Sequence, residues 1–513
     1  MGRVERFTST GPPPVARRTR AWLACLAAAL VLCALQTSCI RRTAFSFPSR
    51  EAQSFHANGK RVQDLFDWDQ LKASLEFNWV PCYNGLQFYQ VPLDYTVPEG
   101  PKASIAVAKW PSKYAANDRP LGHVLARAEI LGRLALERVG DSAPYVGTAD
   151  VARDIVAMNA ALGRERIQYW GGSYGTVLGA TLAAMYPTKI ERMVLDSVLE
   201  PETYYRTTWD RNLLTTDAAL DYFFTSCAAS PSCAFQPPGG GATARELRAR
   251  FDQIMDGLRR KPVAVVQGDV YGLVDWPLMR LLVFGWLYQP YGTFPLLARV
   301  LAGLAHGDGT LAFALGGGDD STWTCGCAPA PAPPPLAAAE VSAAISCGDG
   351  DPVRDSLEEL EAWHRSQEAI SSFADMNTAR VLCSGWKLHA KNRFEGPLAA
   401  NTSRPILFMG NTADPVTPLS SAHETAKYFP GSVVLGVEGP GHGALLAPSL
   451  CSMKHVRTYM REGALPPAGT VCQPDRPIFP TPDSQPVVLS AEDQHLLDST
   501  ENLRSAIRLP RLI

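Results

Sequence analysis

Five residues constrain this chain more than any others: Gly171-Gly172-Ser173-Tyr174-Gly175. They follow the strand-like run Ile167-Gln168-Tyr169-Trp170 and open a helical pattern, Thr176 to Met185. A strand that turns straight into a helix around a serine needs small neighbours, because the turn leaves no room for larger side chains. The turn lifts the Ser173 Oγ clear of the backbone, and the helix N-terminus beneath it favours negative charge. The backbone N–H of Tyr174 is then placed to donate to an oxyanion.

A serine hydroxyl is a weak nucleophile, so it needs a base, and the base needs an orienting carboxylate. After the strand-like run Pro405 to Met409 comes Gly410-Asn411-Thr412-Ala413-Asp414-Pro415-Val416-Thr417-Pro418, which puts Asp414 in a loop at a strand's C-terminal end. After the next run, Ser432 to Val437, comes Glu438-Gly439-Pro440-Gly441-His442-Gly443-Ala444. His442 follows Asp414 by 28 residues, room for one crossover helix and one strand. Both loops are thus expected on the same sheet face as Ser173. Asp196, in Leu195-Asp196-Ser197, also ends a strand and is the second candidate acid. Asp414 has a plainer role open to it, capping the helix that starts near Pro418.

Strands alternating with helices on both sides of residues 200–403 predict an α/β class with a mostly parallel sheet and helices on both faces. Leu86 to Tyr95 and Ala103 to Trp110 read as a hairpin, and Leu121 to Val139 as a helix. Thr148 is expected to cap a further helix with Val151, Ile155 and Met158 on one face, ending near Gly163. Helices are also expected from near Pro418 and near Ala444. Residues 71–199 and 404–475 then form the core. Residues 200–403 are a large, mostly helical insertion, expected over the face where the strands end and ligands bind. Its Gly316 to Pro335 stretch reads as a flexible loop or linker. Residues 476–513 read as a C-terminal tail.

Ala21 to Leu35 is an unbroken apolar run, extended by residues 36–40 and preceded by five arginines. Twenty helical residues reach about 30 Å, the thickness of a bilayer core. An uncleaved signal anchor over 21–40 is the expectation, with residues 1–20 in the cytosol, 41–70 as a stalk and the remainder lumenal or extracellular. A cleaved signal peptide, giving a secreted chain, and a buried helix are the competing readings. Nine of the 12 cysteines lie beyond this run, and translocation would permit disulfides and glycosylation at Asn401 in Asn401-Thr402-Ser403. Close spacing favours Cys227 with Cys233 and Cys451 with Cys472. Cys325-Gly326-Cys327 lacks a second Cys/His pair at finger spacing, so no metal is expected. With 48 Lys+Arg against 50 Asp+Glu the chain has no basic footprint for nucleic acid.

The segments around Gly171–Thr176, Gly410–Pro418 and Gly439–Gly443 resemble the tripeptidyl-aminopeptidase-like branch of the α/β-hydrolases, related to prolyl aminopeptidases. Val91-Pro92-Leu93-Asp94-Tyr95 and Ala344-Ile345-Ser346-Cys347-Gly348-Asp349 resemble further landmarks of fungal members. The resemblance implies an α/β-hydrolase fold and serine hydrolysis of peptide N-termini, esters or amides under a helical lid. It implies no cofactor, and some fungal relatives sit in secondary-metabolite pathways. The chain departs from that pattern in two places. The family's Asn-Pro-Gly-Gly-Pro-Gly segment and the following strand ending in Asp-x-Arg-Gly are missing. Only 37 residues separate Trp110 from Thr148, too few for two strands and a crossover helix beside the helix already there. The missing strands would lie beside the one feeding Ser173, and the missing glycines would supply a second oxyanion N–H. Phe88 stands where many relatives have a cysteine, which leaves Cys82 without its partner.

The expected function is a serine hydrolase acting on peptide, amide or ester bonds of a small-molecule or short-peptide substrate. Ser173 attacks, His442 moves the proton, Asp414 orients His442 and the Tyr174 N–H binds the oxyanion. The alternative is a non-catalytic lumenal binding protein that keeps these residues as relics. A missing exon, a degenerate member and a rebuilt oxyanion site would each explain the gap. The sequence does not disclose the oligomeric state.

Overall fold

The structure, a computed structural model, describes residues 86–92, 102–108, 121–267, 270–316, 338–479 and 489–506. It divides into two units, residues 1–111 and 112–513. In the first, β1 (Leu86–Pro92) and β2 (Lys102–Ala108) pair antiparallel, with Leu86 opposite Ala108 and Pro92 opposite Lys102. That is the expected hairpin. The expected anchor over 21–40, the stalk over 41–70, Cys82, Cys325 and Cys327 lie outside the described residues. Among the described residues no helix is long and apolar enough to cross a membrane.

The second unit opens with α1 (Leu121–Val139), α2 (Thr148–Ala161), β3 (Ile167–Gly172), α3 (Tyr174–Met185) and β4 (Ile190–Asp196). The insertion follows, with α4 (Pro201–Tyr205), α5 (Thr216–Ala228), α6 (Ala244–Arg260), the hairpin β5 (Val263–Gln267) and β6 (Val270–Val274), and α7 (Trp276–Trp286). It continues through α8 (Pro290–Ala305), α9 (Thr310–Gly316), α10 (Ala338–Asp349), α11 (Leu357–Glu368) and α12 (Ala379–Gly385). The chain then returns through β7 (Leu407–Ala413), α13 (Leu419–Ala426), β8 (Val433–Pro440), α14 (Leu450–Glu462), β9 (Val471–Cys472) and α15 (Ala491–Ala506).

The sheet is parallel with strand order β3-β4-β7-β8-β9. Parallel strands are covered on both faces, so the central ones are apolar at consecutive positions. Alternate residues divide between the two faces. Met193, Leu195, Ile406 and Phe408 join Ala180, Ala183 and Ala422 of α3 and α13 on one face. Val194, Leu407, Met409 and Leu435 join Met453, Val456 and Tyr459 of α14 on the other. At β3 the covering changes. Among the described residues β3 pairs with β4 alone, and Gln168 and Trp170 are exposed.

Several local expectations need correction. Gly147, not Thr148, is the N-cap of α2, and the Thr148 side chain makes a long-range bond instead. The buried face of α2 is Thr148, Ala149 and Ala152, while Val151 and Met158 are exposed at 40% and 58%. Alanines let α2 lie close against α3, and the larger side chains turn outward. After Ala444 there is only a 3-10 turn to Leu446, since Pro448 stops it, and α14 starts at Leu450. The C-terminal tail contains α15, held to α14 by a Lys454–Asp493 ion pair at 2.8 Å. The Gly316 to Pro335 stretch lies almost wholly outside the described residues.

The insertion has its own core, built on Phe223, Phe224, Phe251, Phe284, Phe294 and Phe373. A second insertion cluster around Cys347, Leu360, Val381, Cys383 and Trp386 recruits Leu121, Val124 and Leu125 of α1. Contact there is backbone to backbone: a Cβ on Gly132 of α1 would lie 2.0 Å from the Gly385 oxygen of α12. Helix α1 therefore packs with the insertion.

Candidate active site

Ser173 joins β3 to α3 with φ +55° and ψ −125°, a conformation that costs a non-glycine residue about 1–3 kcal/mol. The surroundings hold it there. The Ser173 N–H donates to the Asp196 carbonyl at 3.1 Å and to Ser197 Oγ at 3.3 Å. The Ser173 carbonyl accepts from the Thr176 N–H at 2.8 Å and from Thr176 Oγ1 at 2.6 Å. Tyr169 reaches over the turn to donate its hydroxyl to the Gly175 carbonyl at 2.6 Å. Tyr174 is the first residue of α3, so its N–H has no acceptor within the helix and is free for an oxyanion.

Asp414 lies at the end of β7, fully buried, and His442 just past β8 is 8% exposed. His442 Nδ1 is 3.1 Å from Asp414 Oδ1 and 3.2 Å from Oδ2. A carboxylate at Nδ1 places the ring proton there and leaves the Nε2 lone pair free to act as a base. Asp414 also accepts the N–H groups of Val416, Thr417 and Gly443 at 2.9–3.0 Å, so the capping role and the orienting position coexist in one carboxylate. Thr417 Oγ1 lies 3.0 Å from the same Nδ1. The flanking Gly441 and Gly443 have φ of +121° and +105°, which side chains other than glycine's disfavour.

The second candidate acid does something else. The Asp196 carboxylate accepts the N–H groups of Ala444 at 2.8 Å and Leu445 at 2.9 Å, fastening the stretch after His442 to the end of β4. Burial pushes its carboxyl up, against the pull of those two N–H groups. Ser197 bridges the two halves of the site: its Oγ meets the Ser173 N–H and lies 3.2 Å from where a Gly443 Cβ would be. Among the described residues no hydrogen bond joins Ser173 Oγ to His442.

Residues without a local sequence signature complete the site. Asn411, fully buried, donates to the carbonyls of Gly441 at 2.8 Å and Gly443 at 3.0 Å, gripping the base loop on both sides of His442. The insertion grips both loops from above. Thr215 and Thr216 donate to the carbonyls of Asp414 and Pro415, each at 2.6 Å. Tyr222 donates to the Glu438 carboxylate. The Tyr288 carbonyl accepts the His442 N–H at 2.9 Å, and its ring stands edge-on to the imidazole at 4.9 Å between centroids. Burial and the Asp414 charge push the Tyr288 hydroxyl well up.

Disulfides join Cys227 to Cys233 and Cys451 to Cys472, as their spacing suggests, and also Cys347 to Cys383. Among the described residues the one cluster of metal-donor type is Cys451, His455 and Cys472, and two of its three donors are consumed by a disulfide. Asn401 is exposed.

Residues 371–472 match the TAP-like protein family model and residues 105–235 the alpha/beta hydrolase fold model. The chain is similar to tripeptidyl aminopeptidases of Streptomyces coelicolor and Streptomyces lividans, 25% identical over 66% of this chain and 60% of theirs. It is also similar to the serine protease Hip1 of Mycobacterium tuberculosis, 23% identical over 64% of this chain and 62% of that one. It thus spans less than two thirds of these relatives' length. The two matched stretches hold the Ser173 turn on one side of the insertion and the Asp414 and His442 loops on the other. The chain thus has an α/β-hydrolase fold whose residues 371–472 are similar to TAP-like proteins.

Proposed function

We propose that the chain is a serine hydrolase that cleaves peptide, amide or ester bonds through an acyl-enzyme, with peptide N-termini as its substrate class. The observation that carries this reading is the buried Asp414–His442 pair, set at the strand ends beside a serine held at positive φ. The names of the similar proteins support peptides over other acyl donors. In the first step Ser173 Oγ attacks the carbonyl carbon and its proton passes to His442 Nε2. Asp414 holds Nδ1–H and stabilises the imidazolium, and the Tyr174 N–H binds the oxyanion. His442 then protonates the leaving amine or alcohol. A water, deprotonated by His442, attacks the acyl-enzyme carbonyl; the bond to Ser173 Oγ breaks, His442 returns the proton to that oxygen, and the acid leaves. The Ser173–His442 bond closes as substrate binds, as is common in such sites.

Three disulfides and an exposed sequon support a translocated chain, held by residues 21–40 as a single-pass anchor with the catalytic unit lumenal or extracellular, and with Asn401 glycosylated. Fluorophosphonate labelling of the full chain beside Ser173→Ala tests the hydrolase reading. Labelling of the wild type alone is expected. The open Ser173–His442 contact favours a second reading, a binding protein with relic residues. A folded wild-type chain that takes no label would end the first reading and favour the second.

A further inference from the structure

The Ala344–Asp349 segment has no part in the chemistry above, yet it ends in a carboxylate buried completely inside the protein. Asp349 closes α10 of the insertion, next but one to the Cys347–Cys383 disulfide. Its Oδ1 accepts the Thr148 N–H at 2.8 Å. Its Oδ2 accepts the hydroxyls of Thr148 and, at 2.8 Å, of Tyr204. Thr148 Oγ1 is in turn 2.6 Å from the Tyr174 hydroxyl.

The direction of this chain of bonds follows from the donor inventory. An ionised carboxylate only accepts, so Thr148 gives its single hydroxyl proton to Asp349. Its remaining lone pair then accepts the Tyr174 proton. Burial pushes the Tyr174 hydroxyl up to about 12, so it keeps that proton at neutral pH. Tyr174 follows Ser173 directly, and its side chain is pinned to an anion supplied by the insertion.

The pin matters because of where Ser173 sits. A residue at φ +55° persists only where its surroundings over-determine it. On β3 the described pairing comes from β4 alone, so side chains carry more of that task. Tyr169 ties the turn from the strand side, and Tyr174, through Thr148, ties it from the insertion side.

We propose that Asp349 is a positioning residue for the nucleophile: through Thr148 it fixes Tyr174, and with it the strained turn at Ser173 and the oxyanion N–H. This rests on the hydrolase reading. It makes the insertion a determinant of Ser173 reactivity as well as a cover.

The test compares the full-length wild type with Asp349→Asn, Thr148→Val, Tyr174→Phe and the double variant Asp349→Asn/Tyr174→Phe. The second-order rate of fluorophosphonate labelling is measured on each, with kcat and KM on p-nitrophenyl butyrate and a thermal melt. Asp349→Asn should label at least tenfold more slowly, with kcat falling alike and KM within about twofold. Thr148→Val and Tyr174→Phe should show smaller losses of the same kind, and the double variant should be no slower than Asp349→Asn. A purely structural role would lower the melting temperature while leaving the folded protein's labelling rate intact, and that outcome overturns the proposal. So do multiplicative losses in the double variant. Should Asp349→Asn not fold, wild-type labelling rates in Thr148→Val and Tyr174→Phe would overturn it too. An unlabelled wild type, by contrast, defeats the hydrolase reading itself.

Discussion

The two halves of the site are held in different ways. Asp414 and His442 sit on loops after the interior strands β7 and β8, and are gripped from three directions: by each other, by Asn411 and Asp196 below, and by Thr215, Thr216 and Tyr288 of the insertion. Ser173 follows β3, whose described partner is β4 alone and whose neighbourhood exposes Val151, Met158, Leu162 and Trp170. The Asp414–His442 half is preorganised by burial. The Ser173 half keeps its geometry through a few backbone and side-chain ties around a strained turn. Substitutions should therefore be costly on one side and silent on the outer surface of the other.

The largest expected effect is at the acid. Asp414→Asn preserves shape but presents the wrong partner to Nδ1, and kcat should fall by about 10⁴-fold with the fold intact. Retention of more than a tenth of wild-type kcat would remove Asp414 from its role. Asn411→Ala leaves two buried carbonyls without donors and should destabilise by about 1–3 kcal/mol, read from the denaturation midpoint, with kcat falling as the base loop loosens. Equal stability in the variant would show that this grip does not matter.

Tyr288→Ala comes next. An edge-on ring contact is worth about 0.5–1.5 kcal/mol, so kcat should drop up to about tenfold, and Tyr288→Phe should restore it. If Phe is as impaired as Ala, the hydroxyl and not the ring is what His442 requires. Smallest of all, Met158→Gln on the outer face of α2 should change stability by no more than about 0.5 kcal/mol. A large loss there would mean that this apolar surface is covered in the working protein, and the contrast between the halves would narrow.

Much of the site was legible in the sequence because its constraints are local. A tight strand-to-helix turn requires glycines next to Ser173, and Gly441 and Gly443 mark a loop with positive φ. The hairpin, the long α1 and the alternation of strands and helices are likewise short-range patterns. Their errors were local too: periodicity chose Val151 and Met158 as the inward face of α2, where close packing chose alanines. A capping reading of Thr148 missed a carboxylate 201 residues away.

Sequence by itself determined the turn at Ser173, the placing of Asp414 and His442 in loops after successive strands, and the parallel α/β class, since each depends on neighbours along the chain. Only the tertiary structure decided that Asp196 fastens the base loop, that Tyr288 and Asn411 hold His442, that α1 joins the insertion, and that Asp349 reaches Tyr174 through Thr148. Those contacts join residues tens to hundreds of positions apart. Their partners are set by how sheet and insertion close on each other, and that closure leaves no periodic trace in the residues that make it.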